Sequence, residues 1–302
     1  MSAATAIPIS LARTIATSYG VSLGEATPVE AGDEAITWRV EGQPPLLIHQ
    51  SPRWRSVAEL GWVHALVARV ATHIPEAIPP LRNRDGHTFV EHEGTLVTMY
   101  PYIAGTHLDR DNPSHRDAAA AFLARLHGVL LTLATPPRPA PDPESPWAAV
   151  LRDPRELADP ALDEWHASLE QLAGLQRGLV HGDYYRRNLL WANGRIVAVV
   201  DWHEAHTDLL LAEVANAAWQ FGKDPSGRDL ATDRARSFLD RYADAGGVAE
   251  VTQRDLVLPL IRWRLREEVR LSDVLSARGF LVDEPYREAL IVAFSSLRDR
   301  SL

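Results

Sequence analysis

Three residues in the middle of the chain have the types and spacing for chemistry: Asp183, Asn188 and Asp201. A carboxylate such as Asp183 can orient a hydroxyl and accept its proton. Asn and Asp oxygens suit Mg²⁺, which keeps its remaining positions for water and phosphate oxygens. One proton acceptor and two metal ligands are the minimum set for phosphoryl transfer, a reaction that depends on positioning and charge neutralisation.

A hairpin is the element that must position them. Leu189 to Ala192 and Ile196 to Val200 are β-prone runs on either side of Asn193-Gly194. Asn-Gly favours a type I′ turn, whose two central residues both need positive φ. A two-residue loop sets Ala192 opposite Arg195, and counting back sets Asn188 opposite Val199. Side-chain alternation then points Asn188 and Asp201 to one face, as diagonal neighbours roughly 7–8 Å apart. Asp183 lies five residues before Asn188, in a loop opened by His181-Gly182.

His181-Gly182-Asp183, four residues and then Asn188 resembles the HGDxxxxN loop of the aminoglycoside phosphotransferase and choline kinase-like family. Asp201-Trp202 resembles that family's metal-binding Asp after the hairpin. The resemblance implies an α+β, protein-kinase-like fold of two lobes. Residues 1–103 would be a small nucleotide-binding lobe with an antiparallel sheet and one main helix. Residues 104–302 would be a larger, mainly helical lobe for catalysis and substrate binding. It also implies ATP or GTP as phosphoryl donor, Mg²⁺, and a small-molecule hydroxyl acceptor, a metabolite or an antibiotic. Asp183 would position or deprotonate the hydroxyl, and Asn188 and Asp201 would hold the metal.

In the first hundred residues, Ser10 to Tyr19 reads as a helix stopped by Gly20, and Thr27–Glu30, Ala35–Glu41 and Leu46–His49 read as strands. Gly32, in the turn between the first two strands, corresponds to the loop that covers the nucleotide in the family. The third strand ends in His49 where kinase-like folds carry a lysine. The histidine charge would depend on neighbours, and a nearby triphosphate would favour protonation. Gln50, Arg53 and Arg55 are the alternatives for gripping phosphate. A helix follows from Ser56. Its Glu59 resembles the helix glutamate that pairs with the strand cation, and it also completes a capping box with Ser56. Asp85-Gly86 reads as a hairpin turn between 81–84 and 88–91. Thr95 to Tyr102 is a further strand. In the family this segment connects the lobes and its backbone hydrogen-bonds the adenine, which implies Tyr100 and Ile103 as backbone contacts and Met99 bordering the base, while the Met99 and Tyr100 side chains read as core.

Farther on, a helix starts near Ser114, and His127 beside its apolar stripe reads as a hydrogen-bonded core histidine. Six prolines between 136 and 146 exclude a helix and read as a semi-extended loop within the second lobe. Helices are expected over 147–152 and 162–172. His181 reads as a structural support of the Asp183 loop. A helix over Asp208–Phe221 begins about six residues after the Asp201 segment, too soon for the long activation loop of a protein kinase. Asp208 and Glu213 resemble acidic residues that brace the loop. His203 and His206 lack the HExxH spacing of a zinc site. Among the acidic residues near the later helices, Glu267, Glu268, Asp224 and Asp229 are candidates to line an acceptor site.

Composition narrows the classes. The chain has 302 residues, 46% hydrophobic content, net charge −9 and no cysteine. That is enough for a large core, and it excludes a disulfide frame and a thiolate metal site. No basic footprint for nucleic acid is present. The sequence shows neither a secretory signal nor a membrane span, so a cytoplasmic location is expected, with no protein partner implied. His49 motivates one alternative: a catalytically silent nucleotide- or metabolite-binding protein of the same fold.

Overall fold

The structure is a computed structural model that describes residues 6–29, 35–143, 145, 148, 172, 174–279, 282–298 and 300–302. The chain divides into two compact units, Met1–Ala104 with Thr135–Ser145, and Gly105–Ala134 with Pro146–Leu302. The expected turn at Gly32 falls outside the described residues, and so do the helices expected over 147–152 and 162–172, apart from single positions in each.

The first unit opens with α1 (Ile9–Tyr19), closed by Gly20 in the left-handed region at φ 69°. Five antiparallel strands follow in the order β1-β2-β3-β5-β4. They are β1 (Ala26–Val29), β2 (Ile36–Val40), β3 (Leu46–Gln50), β4 (Val90–His92) and β5 (Thr95–Pro101). Between β3 and β4 runs α2 (Val57–Val70), capped by Ser56. Leu11 and Ile15 of α1 pack with Trp38, Val40, Ile48, Val90, Val97 and Met99 of the sheet. Alternation along the strands delivers these side chains to one face, where burial of apolar area stabilises the sheet.

The hairpin expected at Asp85-Gly86 is not formed. Asn83 Oδ1 accepts from the amides of Asp85 (3.0 Å) and His87 (2.9 Å), which closes a side-chain-held loop. The hairpin is instead β4–β5, and its turn residues Glu93 and Gly94 both have positive φ, 49° and 73°. The proline-rich segment clusters with the first unit rather than the second. Trp62 Nε1 donates to the Pro136 carbonyl at 2.8 Å, and Arg138 pairs with Glu59 at 3.4 Å.

The second unit contains β6 (Thr106–His107), α3 (Pro113–Leu130), β7 (Arg177–Val180), β8 (Leu189–Ala192), β9 (Arg195–Val199) and β10 (His206–Leu209). Helices α4 (Leu210–Gly222), α5 (Thr232–Asp244), α6 (Arg254–Ala277) and α7 (Glu284–Ser296) complete it among the described residues. The α3 cap is Asn112, whose side chain accepts from the Ser114 amide at 3.0 Å, with Pro113 at the first helical position. Two small sheets, β10-β7 and β6-β8-β9, flank the loop over residues 181–188. None of the described helices is long and apolar enough to cross a membrane.

Candidate active site

The loop begins where β7 ends. Gly182 sits at φ 84°, and a Cβ there would lie 2.1 Å from the Glu204 carbonyl oxygen, so only glycine fits. Glu213 of α4 holds the loop from below. Its carboxylate accepts from the backbone amides of His181 (3.2 Å) and Gly182 (2.6 Å) and from His127 Nε2 (2.8 Å). His127 Nδ1 meets the Tyr242 hydroxyl at 2.8 Å. Burial alone would push the Glu213 carboxyl up, but the His127 bond and charge, with His181 and the Gly182 amide, hold it below its ordinary value.

His181 is fully buried. Its Nε2 donates to the Val200 carbonyl at 3.0 Å, and Nδ1 accepts from the Asp183 amide at 3.3 Å. Burial lowers its pKa. A neutral imidazole with both nitrogens engaged is a structural strut, the role the sequence suggested.

Asp183 and Asn188 are clamped together. Asn188 Nδ2 donates to both the carbonyl and Oδ2 of Asp183, each at 2.9 Å. Burial first, and the Asp201 charge second, push the Asp183 carboxyl up to about 7, while Arg264 and the Asn188 bond pull against them.

The β8–β9 register differs from simple counting. A bulge lies between Leu190 and Trp191 on one side and Ala198 and Ile196 on the other, so Leu189, not Asn188, stands opposite Val199. The extra residue displaces the ladder by one position. Asn188 lies in a 3₁₀ turn (Arg186–Asn188) just before β8, and its carbonyl accepts from the Val200 amide at 2.9 Å. Asp201 follows β9 in the left-handed region, φ 60°. Strand alternation therefore does not aim these two side chains. The turn and the left-handed residue do, and both act on Asp183, one by hydrogen bond and one by charge.

Both Asn188 donor hydrogens are taken by Asp183, which leaves its amide oxygen as the hard donor for a cation. Among the described residues no cluster of three or more His, Cys, Asp or Glu could hold a metal. The Asn188 amide oxygen and the Asp201 carboxylate are oxygen donors of the kind that could hold Mg²⁺, an ion that takes few protein ligands when substrate phosphates supply the rest.

In the first unit, His49 Nδ1 meets the Thr37 hydroxyl at 3.2 Å. Burial, then the Arg55 charge, lower its pKa to about 4, so it is neutral at pH 7 in the absence of nucleotide. Glu59 pairs instead with two arginines. The Ser56 capping box holds its carboxylate, which meets Arg55 (3.6 Å) and Arg138 (3.4 Å). Arg55 is 5% exposed and its guanidinium packs over Trp54 at 4.7 Å. Met99 lies in the sheet core, and its carbonyl is taken by the Leu81 amide at 2.8 Å. The Tyr100 hydroxyl meets His64 Nε2 at 3.2 Å, and Ile103 is half-buried beyond β5.

Two features escaped sequence reading. Arg264 acts on Asp183 by charge and pairs with Glu268 at 3.2 Å. In a cleft of about 40 Å³ beside Gly182, Asn216 Oδ1 and Trp263 Nε1 are buried without a hydrogen-bond partner among the described residues. That space suits one water. The i, i+4 spacing of Arg264 and Glu268 was visible, but not which face of α6 meets the loop.

The phosphotransferase enzyme family matches residues 25–256, and the chain belongs to it. Homoserine kinase of Methylobacillus glycogenes is 29% identical over 184 residues, 57% of this chain and 56% of that protein. Homoserine kinase of Pseudomonas aeruginosa is 28% identical over 177 residues, 54% of each. The chain thus spans little more than half the length of these curated relatives. An amicoumacin kinase solved with AMP-PNP, Ca²⁺ and its antibiotic superimposes with a TM-score of 0.68 at 13% identity, covering 95% of this chain and 92% of that one. A choline/ethanolamine kinase family protein from Mesorhizobium loti gives 0.64 at 17% identity, covering 92% and 89%. These structures share the α+β, protein-kinase-like fold expected from the sequence.

Proposed function

We propose that the protein is a small-molecule kinase that transfers the γ-phosphoryl group of ATP or GTP to an acceptor hydroxyl. The observation that carries this reading is the Asp183–Asn188 clamp beside Asp201. The acceptor oxygen attacks the γ-phosphorus, its proton passes to the Asp183 carboxylate, and the bond to the β-phosphate oxygen breaks with its electron pair leaving on the nucleoside diphosphate. A carboxyl poised near neutrality suits that proton transfer. Asn188 and Asp201 would hold Mg²⁺, which neutralises phosphate charge when bound.

Within the first unit, residues 1–103 would bind the nucleotide, with Gly32 in the covering loop and Met99, Tyr100 and Ile103 along the adenine segment. Residues 104–302 would carry catalysis and acceptor binding. For phosphate Arg55, held by Glu59, is the better cation than His49, which burial first and the Arg55 charge second keep neutral. His49 would assist once triphosphate charge raises its pKa. A second reading, a silent binding protein, draws on the neutral His49. Turnover of ATP with Mg²⁺ against a panel of hydroxyl compounds, with Asp183→Ala as the blank, tests the proposal. Phosphorylated product that disappears in the blank is expected. Nucleotide binding without product on any acceptor favours the silent protein.

A further inference from the structure

Lys223, at the end of α4, is 6% exposed, and burying an ammonium is costly unless a counter-charge compensates it. The only hydrogen bond of its ammonium among the described residues goes to the Gln220 side-chain oxygen at 2.9 Å, and no carboxylate pairs with it there. The ammonium lies over the rings of Trp219 (5.0 Å) and Tyr286 (6.0 Å). Burial lowers its pKa to about 8. The Glu268 charge acts to raise it, and the charges of Arg110 and Arg186 lower it further.

The surroundings deepen the imbalance. Glu268 is already engaged, by Arg264 Nε at 3.2 Å and by the Tyr286 hydroxyl at 2.8 Å. Arg110 and Arg186 repel each other, with Asp109 the acid that acts on Arg186, and neither guanidinium has an ion pair among the described residues. Nearby Arg234, by contrast, is compensated by Asp111 at 2.6 Å. The group also borders the proposed reaction centre. Arg186 belongs to the loop that runs from Asp183 to Asn188, and the Asp183 charge acts on both Arg264 and Tyr286. A buried lysine and two arginines without counter-ions, beside a proton acceptor, form a receptor lacking its anion.

We propose that Lys223, with Arg186 and Arg110, binds an anionic group, a carboxylate or a phosphate, carried by the same small molecule that bears the acceptor hydroxyl. The inference rests on the kinase reading for the word acceptor, but the binding itself does not. It also disfavours polycationic antibiotics, despite the net charge of −9 for the whole chain.

The test compares molecules that differ in the anion. The pairs are homoserine with 3-amino-1-propanol, 4-hydroxybutyrate with 1-butanol, and glycerol 3-phosphate with glycerol. Turnover with ATP and Mg²⁺ is one readout, and binding followed by the fluorescence of Trp219 and its neighbours is the other. The full chain is used as wild type, Lys223→Gln and the more exposed Arg186→Gln. In at least one pair the anionic member should be favoured by about ten- to a hundredfold, the scale of a charge-assisted contact, and Lys223→Gln should erase the preference. The arm that shows it tells carboxylate from phosphate. Lys223-dependent anion binding without turnover would uphold the inference and count against the kinase. Turnover of neutral or cationic acceptors, unaffected by Lys223→Gln, would overturn the inference and leave the kinase standing. Two further results would overturn it: no anion preference in either readout, or a Lys223→Gln effect confined to nucleotide affinity. If Lys223→Gln does not fold, Arg186→Gln carries the same comparison.

Discussion

Asn188 binds Asp183 twice, through the main-chain carbonyl and through the carboxylate, with both distances at 2.9 Å. The amide thus fixes the orientation of the carboxylate and the closure of the five-residue loop together. Asp183→Ala is expected to abolish turnover while melting within a few degrees of wild type, because it removes the proton acceptor and no core packing. Asn188→Leu should lose turnover and soften the loop as well. Product formation and thermal melts on the same samples separate the two, and full activity in Asp183→Ala would refute the assignment.

Asp201 carries the metal part of the proposal. Asp201→Asn keeps a residue type that tolerates the left-handed backbone at φ 60°. It should retain the fold and lose the Mg²⁺ dependence of nucleotide binding. Calorimetric titration with and without Mg²⁺ checks this, and a wild-type Mg²⁺ response would remove Asp201 from the metal site.

Gly182→Ala meets the Glu204 carbonyl at 2.1 Å and requires a positive φ. A loss of about 1–3 kcal/mol is expected for such a conformational conflict, with turnover falling further because the strain sits beside Asp183. Urea denaturation gives the first number and a turnover assay the second.

Glu213 links stability to pH. Its folded-state pKa is depressed, so its stabilising contribution is present above the unfolded carboxylate pKa and is lost as pH falls through the lower, folded value. Glu213→Gln should cost about 3 kcal/mol at pH 7, as for one broken partner of a buried pair, and should flatten the acid limb of the stability curve. Denaturant midpoints between pH 7 and pH 3 decide it, and parallel wild-type and mutant curves would contradict the role.

His49 gives the same sign in a higher pH window. Its folded pKa of about 4 lies below the ordinary histidine value, so between those values the unfolded chain binds the proton and stability rises with pH. In nucleotide-free protein its ring resonances should stay constant from pH 8 down to about 5. Titration near 6.5 by NMR would show that burial and Arg55 do not control it.

The meeting of Asn188 and Asp201 at Asp183 could be anticipated because the spacing is local and the residue types are demanding. The helix start at Ser56 followed from its capping box for the same reason. The bulge in β8–β9 was not legible. One surplus residue leaves the apolar pattern almost unchanged while shifting the ladder. The Asn83 loop displaced the expected hairpin because its decisive contacts are made by one amide side chain, not by turn residues. Glu59 has a partner 79 residues away, and Arg110, Arg186 and Lys223 belong to three separate stretches of sequence. Pattern reading has no access to such meetings, and the tertiary fold alone creates them.

The segment Thr135–Ser145 belongs with the first unit although α3 precedes it, so the chain passes from one unit to the other three times. A fragment ended at Ala104 would therefore leave Trp62 without its Pro136 acceptor and Glu59 without Arg138. Cutting the gene at the apparent boundary would not yield a self-sufficient nucleotide-binding half. A split version of the protein has to return that segment to the first piece, by circular rearrangement or by supplying it as a separate peptide.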